Sequence, residues 1–311
     1  MGVWDTLMVR SHIIAYTELC LAMVFAGSSV VVGKLIVADF PVFLASELSL
    51  IVALFVVAIV HIVRMKPLPR LGRKDLLFLF LQTLFGLFLF RIFVLYGLDS
   101  TSAIEAGIIT STTPAWVALI AFFFLKERIS SSKWLGVILI IVGIAVLNIS
   151  GKSGGAVVSA HFLGNLLIVG AVIGEALFTI FRKSVSGAVD ALSGTTYVIL
   201  LGALLFLPFA LYEFSQFSFG GVSASSWLAV VYYGAFVTVA SFFLWFDGVS
   251  KVSTATAGAF TAVMPLSALL LSVLLLGEQI LFTHILGILC TLVGISVSLG
   301  FLSKQDHVLS A

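Results

Sequence analysis

The sequence predicts an all-α membrane protein, with ten transmembrane helices arranged as two inverted five-helix repeats. Three observations predict it. Of 311 residues, 61% are hydrophobic and only 10% are charged, where an ordinary soluble domain carries about 25% charged residues. The apolar residues fall into ten runs, each long enough for a helix to cross a hydrocarbon core about 30 Å thick. The second half of the chain also repeats the first at a fixed offset. With a mean hydropathy of +1.25, the chain cannot clothe a water-facing surface, so a soluble enzyme and a disordered chain are both excluded. The net charge of +2 leaves no nucleic-acid footprint. The partner implied by composition is the lipid bilayer.

The first run, 12–37, is too long for a signal peptide, and the repeat needs it as a helix. The second, 41–63, opens at Pro41, and the third, 75–98, ends on Tyr96-Gly97-Leu98. The fourth, 101–125, contains Pro114 and stops at Lys126-Glu127-Arg128; the fifth, 133–150, carries Gly136 and Gly143. The next three runs are 161–181, 191–212 and 226–246. The ninth, 252–276, contains Pro265 and stops at Gly277-Glu278, and the tenth, 283–302, carries Gly287 and Gly294. None alternates in the ten-residue pattern of a membrane β-barrel. Trp4, Trp134 and Trp227 stand at run ends, where interfacial anchors belong. Connections are short, so the chain divides into residues 1–150 and 151–311 with no soluble domain.

Lys and Arg in the loops set the orientation. With a cytoplasmic N-terminus, 13 of the 16 lie inside, two (Lys34 and Lys152) outside, and Arg91 within a span. A missed or added helix would scramble that bias. Both termini are therefore expected in the cytoplasm, in a multi-pass protein of the inner (plasma) membrane.

Residues 97–147 align with 248–298 at an offset of 151 without a gap, and 16 of 51 positions match. The matches include Ala106/Ala257, Gly107/Gly258, Thr110/Thr261, Pro114/Pro265, Glu127/Glu278, Gly136/Gly287 and Gly143/Gly294. The first helices of each half match more loosely, with Lys34 and Lys183 ending the corresponding helices. Five helices per half is an odd number, so the second copy enters the membrane from the opposite side. Inverted copies suit secondary transport, because two oppositely oriented units can exchange roles.

These residues resemble the drug/metabolite transporter superfamily in its ten-helix EamA-like branch. The likeness rests on Phe25-Ala26-Gly27-Ser28 with Lys34, on Pro41, and on Tyr96-Gly97-Leu98. It continues in Ala106-Gly107, Pro114 and Leu125-Lys126-Glu127-Arg128, then in Gly136 and Gly143. The second copy repeats it in Ala257-Gly258, Pro265, Leu276-Gly277-Glu278, Gly287 and Gly294. The resemblance implies an exporter of amino acids, other metabolites or drugs, with a central cavity near the bilayer middle. The family commonly carries an Arg where this chain has Glu47, so substrate preference does not carry across.

Candidate site residues follow from polar groups in the spans. Pro114 and Pro265 each remove an N–H and press on the carbonyl four residues earlier, which belongs to Thr110 and Thr261. The expectation is a kinked, substrate-lining hinge, with Thr110, Thr112 and Thr261 facing the path; the alternative is a fixed kink that only shapes packing. Ionisable groups within spans usually face a cavity or a partner, and five stand well inside: Glu18, Glu47, Arg91, Glu105 and Glu175. Counted at about 1.5 Å per residue, Glu47, Arg91 and Glu105 join Lys34 in an outer-half cluster. Glu18 and Glu175 face each other across the inner half. Glu47 with Arg91 reads either as a structural ion pair or as a site in which Arg91 grips a substrate carboxylate. Glu105, Glu175 and Glu18 read as proton-coupling carboxylates, or as acids hydrogen-bonded within the bundle. Trp116 and Phe178 are candidate cavity aromatics.

The weaker signals exclude more than they add. Cys20 and Cys290 give no disulfide framework, and the five histidines, His161 and His284 among them, show no metal-ligand spacing. No Gly-rich loop ends in Gly-Lys-Ser/Thr, so no cofactor is expected, and the energy source is a substrate gradient or a proton. The glycine pairs of the fifth and tenth runs share helix faces and suit packing or association, which leaves a homodimer open. Glu127 and Glu278 read as fixing the start of the helix that follows. The expected activity is transport of a small amino acid or amine and not enzymatic. Nucleotide-sugar or phosphate-ester transport is the runner-up, and a membrane-embedded enzyme or a scaffold comes after it.

Overall fold

A backbone amide in hydrocarbon finds no water, so its hydrogen bonds must close within the chain, and helices do this segment by segment. The computed structural model describes residues 3–65, 67–113, 115–117, 119–120, 131–149, 155–186, 189–252, 260 and 263–298. Its regular structure is helical throughout, without a strand among the described residues. In the first half these are α1 (Val3–Val37), α2 (Val42–Arg64), α3 (Arg73–Thr83), α4 (Phe90–Ser100), α5 (Ala103–Thr110) and α6 (Ser131–Ile149). In the second half they are α7 (Gly155–Ser184), α8 (Ala191–Gln216), α9 (Ala224–Tyr232), α10 (Ser241–Ser250), α11 (Val263–Leu276) and α12 (Phe282–Ser298).

Six described helical stretches are long and apolar enough to cross a membrane: Ile13–Val37, Val42–Arg64, Arg73–Ser100, Ala160–Arg182, Leu192–Gln216 and Ala224–Trp245. Three shorter apolar helices, Trp134–Val146, Val263–Leu276 and Phe282–Val297, accompany them. Parts of the fourth and ninth expected spans, including Pro114 and Thr261, lie outside the described residues, as does Glu127 after the fourth. Exposed apolar side chains such as Phe55, Leu228 and Leu274 clothe the outside, as a lipid-facing surface requires.

The repeat reappears as repeated contacts. A Cβ added at Gly97 would stand 2.7 Å from Ile168 Cδ1 and 3.0 Å from the Gly164 carbonyl oxygen. At its repeat mate Gly248, a Cβ would stand 2.8 Å from Leu19 Cγ and 3.3 Å from the Ala15 carbonyl oxygen. Both glycines thus let their helix press on the first helix of the other half: α4 on α7, and α10 on α1. The fifth and tenth spans pair as α6 and α12. There Gly143 faces the Gly287 carbonyl oxygen at 3.1 Å and Gly294 faces that of Gly136 at 2.7 Å. Each glycine meets the mate of the other, as a pseudo-two-fold axis between the halves demands.

Neither half keeps its third helix regular. Leu84–Leu89 and Tyr233–Ala240 are π-helical, and at the repeat offset 84–89 corresponds to 235–240. Such wide turns are rare and frequently sit at functional sites; hydropathy does not reveal them. The core lies between them: Val30, Val94, Ile108, Ile168 and Ala268 on one side, and Leu50, Leu79, Ile199 and Phe206 on the other.

At one end, Asp39 after α1 accepts from Ser223 N (3.0 Å), Ser223 Oγ (2.5 Å) and Ser226 Oγ (2.8 Å) at the start of α9. These donors favour the ionised form and hold the carboxyl below its usual value of 3.8. A depressed folded-state pKa contributes stability that is present above the unfolded value and lost as pH falls through the folded one. Thermal stability should therefore drop below about pH 4, and Asp39→Asn should remove part of that drop, read as detergent-solubilised Tm against pH. The glycine contact gives a second expectation. Gly294→Val places a branched side chain against the Gly136 backbone and should destabilise the chain by about 1–3 kcal/mol, seen as a lowered Tm, while Ala at the exposed Leu289 should change little.

Candidate functional site

A small cleft, with a cavity volume of about 30 Å³, opens between α3, α7, α8 and the second π-helical stretch. Its walls are mostly apolar, with Phe178, Phe242, Leu87, Val198 and Ile199; Gln82, Arg182 and Thr238 are its principal polar side chains. Leu87 and Thr238 are repeat mates, one from each π-helical stretch. Gly86 lets Phe178 approach the first stretch, because a Cβ there would collide with the Phe178 side chain. Gln82 is buried, donates from Nε2 to the Phe178 carbonyl oxygen at 3.2 Å, and leaves Oε1 without a hydrogen-bond partner. Arg182 donates to the Val189 carbonyl oxygen at 3.1 Å. Phe178 is the one expected site residue that lines this cleft. Sequence reading assigned Arg182 to topology because it sits at a span end, and Gln82 drew no notice as an uncharged residue.

Above the cleft, Arg91 is 3% exposed and committed to protein groups. It donates to the Ser46 carbonyl oxygen (3.2 Å), Ser49 Oγ (2.7 Å) and Thr238 Oγ1 (2.9 Å), and its guanidinium lies 4.7 Å from the Tyr233 ring centroid. Thr238 in turn donates to the Tyr233 carbonyl oxygen five residues back, at 3.0 Å. Thr238 thus links the π-helical stretch to Arg91. This corrects the expected pairing: no ion pair within 4 Å joins Glu47 to Arg91 among the described residues, and Glu47 Oε2 is buried without a hydrogen-bond partner. Serine and threonine oxygens with an aromatic face hold the guanidinium instead.

The threonine run is also placed differently. Helix α5 stops at Thr110, and Ser111–Thr112 form a turn before the chain resumes as helix at Thr113. Thr110 and Thr112 are buried and donate back to the Ala106 and Ile109 carbonyl oxygens, at 2.9 and 2.6 Å. Neither lines the cleft; their hydroxyls satisfy the backbone where the helix breaks. Thr113 carries the outward contact, with its Oγ1 lying 2.8 Å from the Thr110 carbonyl oxygen and 2.6 Å from Glu175 Oε2. Trp116 packs against the first core cluster with Nε1 unpartnered. Pro265 is buried in α11; its hinge partner Thr261, like Pro114, lies outside the described residues.

Glu18 does not face Glu175. Lys251 donates to both Glu18 oxygens, at 2.9 and 2.8 Å, and to Asp247 Oδ2 at 2.7 Å. The pairing ties α1 to the end of α10. Lys251 lies outside the spans, and the two carboxylates raise its pKa.

The expected outer-half cluster of four splits. Lys34 and Glu105 stand apart from Arg91 and Glu47, and new partners join them. Lys34 Nζ donates to the Thr101 carbonyl oxygen at 2.7 Å and to Glu278 Oε1 at 3.3 Å. Glu278 accepts from Ala103 N (2.9 Å) and Ile104 N (3.0 Å). A carboxylate there satisfies two orphan amides and complements the helix dipole. Glu278 therefore fixes the start of α5, in the other repeat, and not that of the helix which follows it. Glu105 occupies the third position of α5, whose cap Ser102 accepts from the Glu105 amide at 3.1 Å. Its side chain receives Thr101 Oγ1 (2.8 Å) and Asn165 Nδ2 (3.2 Å), with His161 Nε2 at 2.7 Å and His284 Nε2 at 3.5 Å. The histidines that look scattered in sequence meet on one acid. Only the His161 and Asn165 spacing, four residues on one helix face, was legible beforehand.

An apolar, all-helical protein of two repeated halves, with a cleft between them and polar ties joining them, defines a transporter-like class. The EamA-like transporter family model matches the chain twice, over residues 13–149 and 162–300. The chain belongs to the EamA-like transporter family. It is 42% identical over 291 residues to the uncharacterized transporter YetK of Bacillus subtilis, covering 94% of this chain and 88% of that one. An uncharacterized transporter of Archaeoglobus fulgidus is 26% identical over 73% of this chain and 79% of its own length. A solved crystal structure with 20% sequence identity shares the fold, at a TM-score of 0.63 over 97% of this chain and 99% of the other. The family and its relatives agree with a transport role for the chain.

The Gly86 contact yields an expectation. Gly86→Ala forces Phe178 away from the first π-helical stretch and should cut transport at least several-fold, with the protein still inserting. Transport assayed in everted vesicles, normalised to protein in the membrane, checks it.

Proposed function

We propose that this transporter exports a small zwitterionic metabolite of the amino-acid type, or an amine, across the plasma membrane by alternating access through ten crossings, with proton coupling. The observation that carries the reading is the unequal access of the two ends. Around Glu105 and Glu278, the end opposite the basic loops is closed by hydrogen bonds between halves. The cleft lies in the half nearer those loops. This arrangement fits an inward-facing state, with the basic loops and both termini cytoplasmic.

The cleft's chemistry supports the substrate class. The unpartnered Gln82 Oε1 suits an ammonium donor. Arg182 carries five donors in a fork that matches a carboxylate. Phe178 and Phe242, with ring centroids 6.0 Å apart, suit an apolar side chain. With one arginine on the cleft, a nucleoside diphosphate or phosphate ester is less well matched. Arg91 acts in this reading as a pivot for the second π-helical stretch and not as a substrate ligand.

Glu175 is the coupling carboxylate in this reading. Thr113 has a single hydroxyl proton and two acceptors in reach, the Thr110 carbonyl and Glu175. When the proton goes to the carbonyl, the carboxyl must supply its own to Thr113; when Glu175 is ionised, Thr113 turns to it. The proton state of Glu175 thus selects how the break after Thr110 is tied. Glu175 also precedes Phe178 by one helical turn, so the break and the cleft wall are joined.

In proteoliposomes, labelled amino acids should undergo counterflow, and a pH gradient should drive their accumulation. Glu175→Gln should keep counterflow and lose the pH-driven accumulation; unchanged accumulation would remove Glu175 from the coupling. Arg182→Gln should raise the KM for carboxylate-bearing substrates by about 10–100-fold, the loss of a charge-assisted contact, and leave simple amines unaffected. No exchange with any amino acid or amine would overturn the substrate class.

A further inference from the structure

We propose that Glu105, His161 and His284 form a proton-binding site that latches the end of the molecule opposite the basic loops, so that acid on that side holds the end closed. The inference rests on the alternating-access reading and adds a second titrating site, distinct from Glu175. Three separate elements converge on one carboxylate that is 3% exposed: α5 supplies Glu105, α7 His161 and Asn165, and α12 His284. Opening this end separates those elements and takes these donors from the carboxylate.

The two histidines are not equivalent. The Leu281 amide donates to His284 Nδ1 at 3.2 Å. That nitrogen is an acceptor, so the ring proton of His284 sits on Nε2, facing Glu105. Charging it would set two donors against each other at the start of α12. His161 Nε2 lies 2.7 Å from Glu105 Oε2, and its side chain keeps 19% of its surface exposed, against 4% for His284. It is the member free to gain charge. Protonation turns its hydrogen bond into an imidazolium–carboxylate pair, and charge-assisted bonds are roughly twice as strong as neutral ones. Imidazole is also the side chain suited to changing charge between about pH 5 and 8.

Other charged or titratable groups nearby leave room for this device. From α1 comes Lys34, bound to Thr101 and Glu278. From the turn before α12 comes Glu278, bound to the α5 amides. The α4 helix brings Tyr96 and Asp99, both exposed. Glu175 on α7 lies more than two turns from His161 and meets Thr113. No charged or titratable side chain occurs in α11. The site is also absent from the repeat: at the offset of 151, Glu105 aligns with Thr256 and His284 with Lys133. A gate that merely alternates needs equal ends. A carboxylate and two histidines at one end alone make that end responsive to the pH it faces.

The test uses the full chain in lipid nanodiscs without substrate. Spin labels are placed at Asp99→Cys and Phe282→Cys, with Cys20 and Cys290 replaced by alanine. Distance distributions are then recorded between pH 5.5 and 8. The separated population should grow roughly five-fold as pH rises, the difference between a charged and a neutral bond. His161→Gln keeps a donor without a charge change and should give the same distribution at every pH. His161→Lys holds a charge throughout and should stay closed. A wild-type distribution that ignores pH overturns the latch, as does an unchanged pH response in His161→Gln. Should His161→Gln fail to fold, the wild-type and His161→Lys curves decide. Because no substrate is present, a transport reading that fails in proteoliposomes leaves this outcome untouched.

Discussion

A charged or hydrogen-bonding group placed in a bilayer must find its partner in the protein, and the rest of this structure depends on that constraint. It forces the chain into helices and confines irregular backbone to places where other groups satisfy it. Each break here is met in that way. The Ser111–Thr112 turn is held by hydroxyls donating back to carbonyls. In the π-helical stretch Tyr233–Ala240, the Thr238 hydroxyl donates to the Tyr233 carbonyl. Orphan amides at the start of α5 go to Glu278. Irregularity and polarity occur together because neither is tolerable alone.

The same constraint explains why charged side chains in and beside the spans pair across elements. Arg91 joins α4 to α2 and to the second π-helical stretch; Lys251 joins α1 to α10; Glu278 joins the turn before α12 to α5. Each is a tie that must break, or move as a body, when the helices rearrange. The ties at the Glu105 end lie between the two halves of the chain. The cleft, by contrast, is walled mainly by apolar groups that slide at little cost. Rigid ties at one end and a greasy cleft toward the other suit a molecule that rocks one half against the other.

The repeat is also the link between chain and packing. Glycines that match at the offset in sequence meet one another's mates in space: Gly143 meets Gly287, and Gly294 meets Gly136. Gly97 and Gly248 each admit the first helix of the opposite half. Small residues allow close backbone approach where apolar burial gives helices no drive to associate. The departures from symmetry carry the individual chemistry. Leu87 faces Thr238 across the cleft, and Glu105 stands where the second copy has Thr256. Symmetric positions build the scaffold; asymmetric ones carry the chemistry particular to each half.

Sequence alone determined the solvent of this protein, its helical class, its duplication and its family, because each depends on local composition or on a one-dimensional offset. It also marked the buried acids and arginine as exceptional, because an ion in an apolar run stands out without a structure. Their partners were another matter. Arg91 beside Glu47 suggested an ion pair, yet the arginine binds Ser49 and Thr238. Glu18 found Lys251, and Glu105 found two histidines that lie 56 and 179 residues further along the chain. Partner choice was decided only by tertiary structure. It depends on helix rotation, on a π-helical turn that shifts the register of one face, and on which helices the pseudo-two-fold axis sets side by side, none of which leaves a local mark in the sequence.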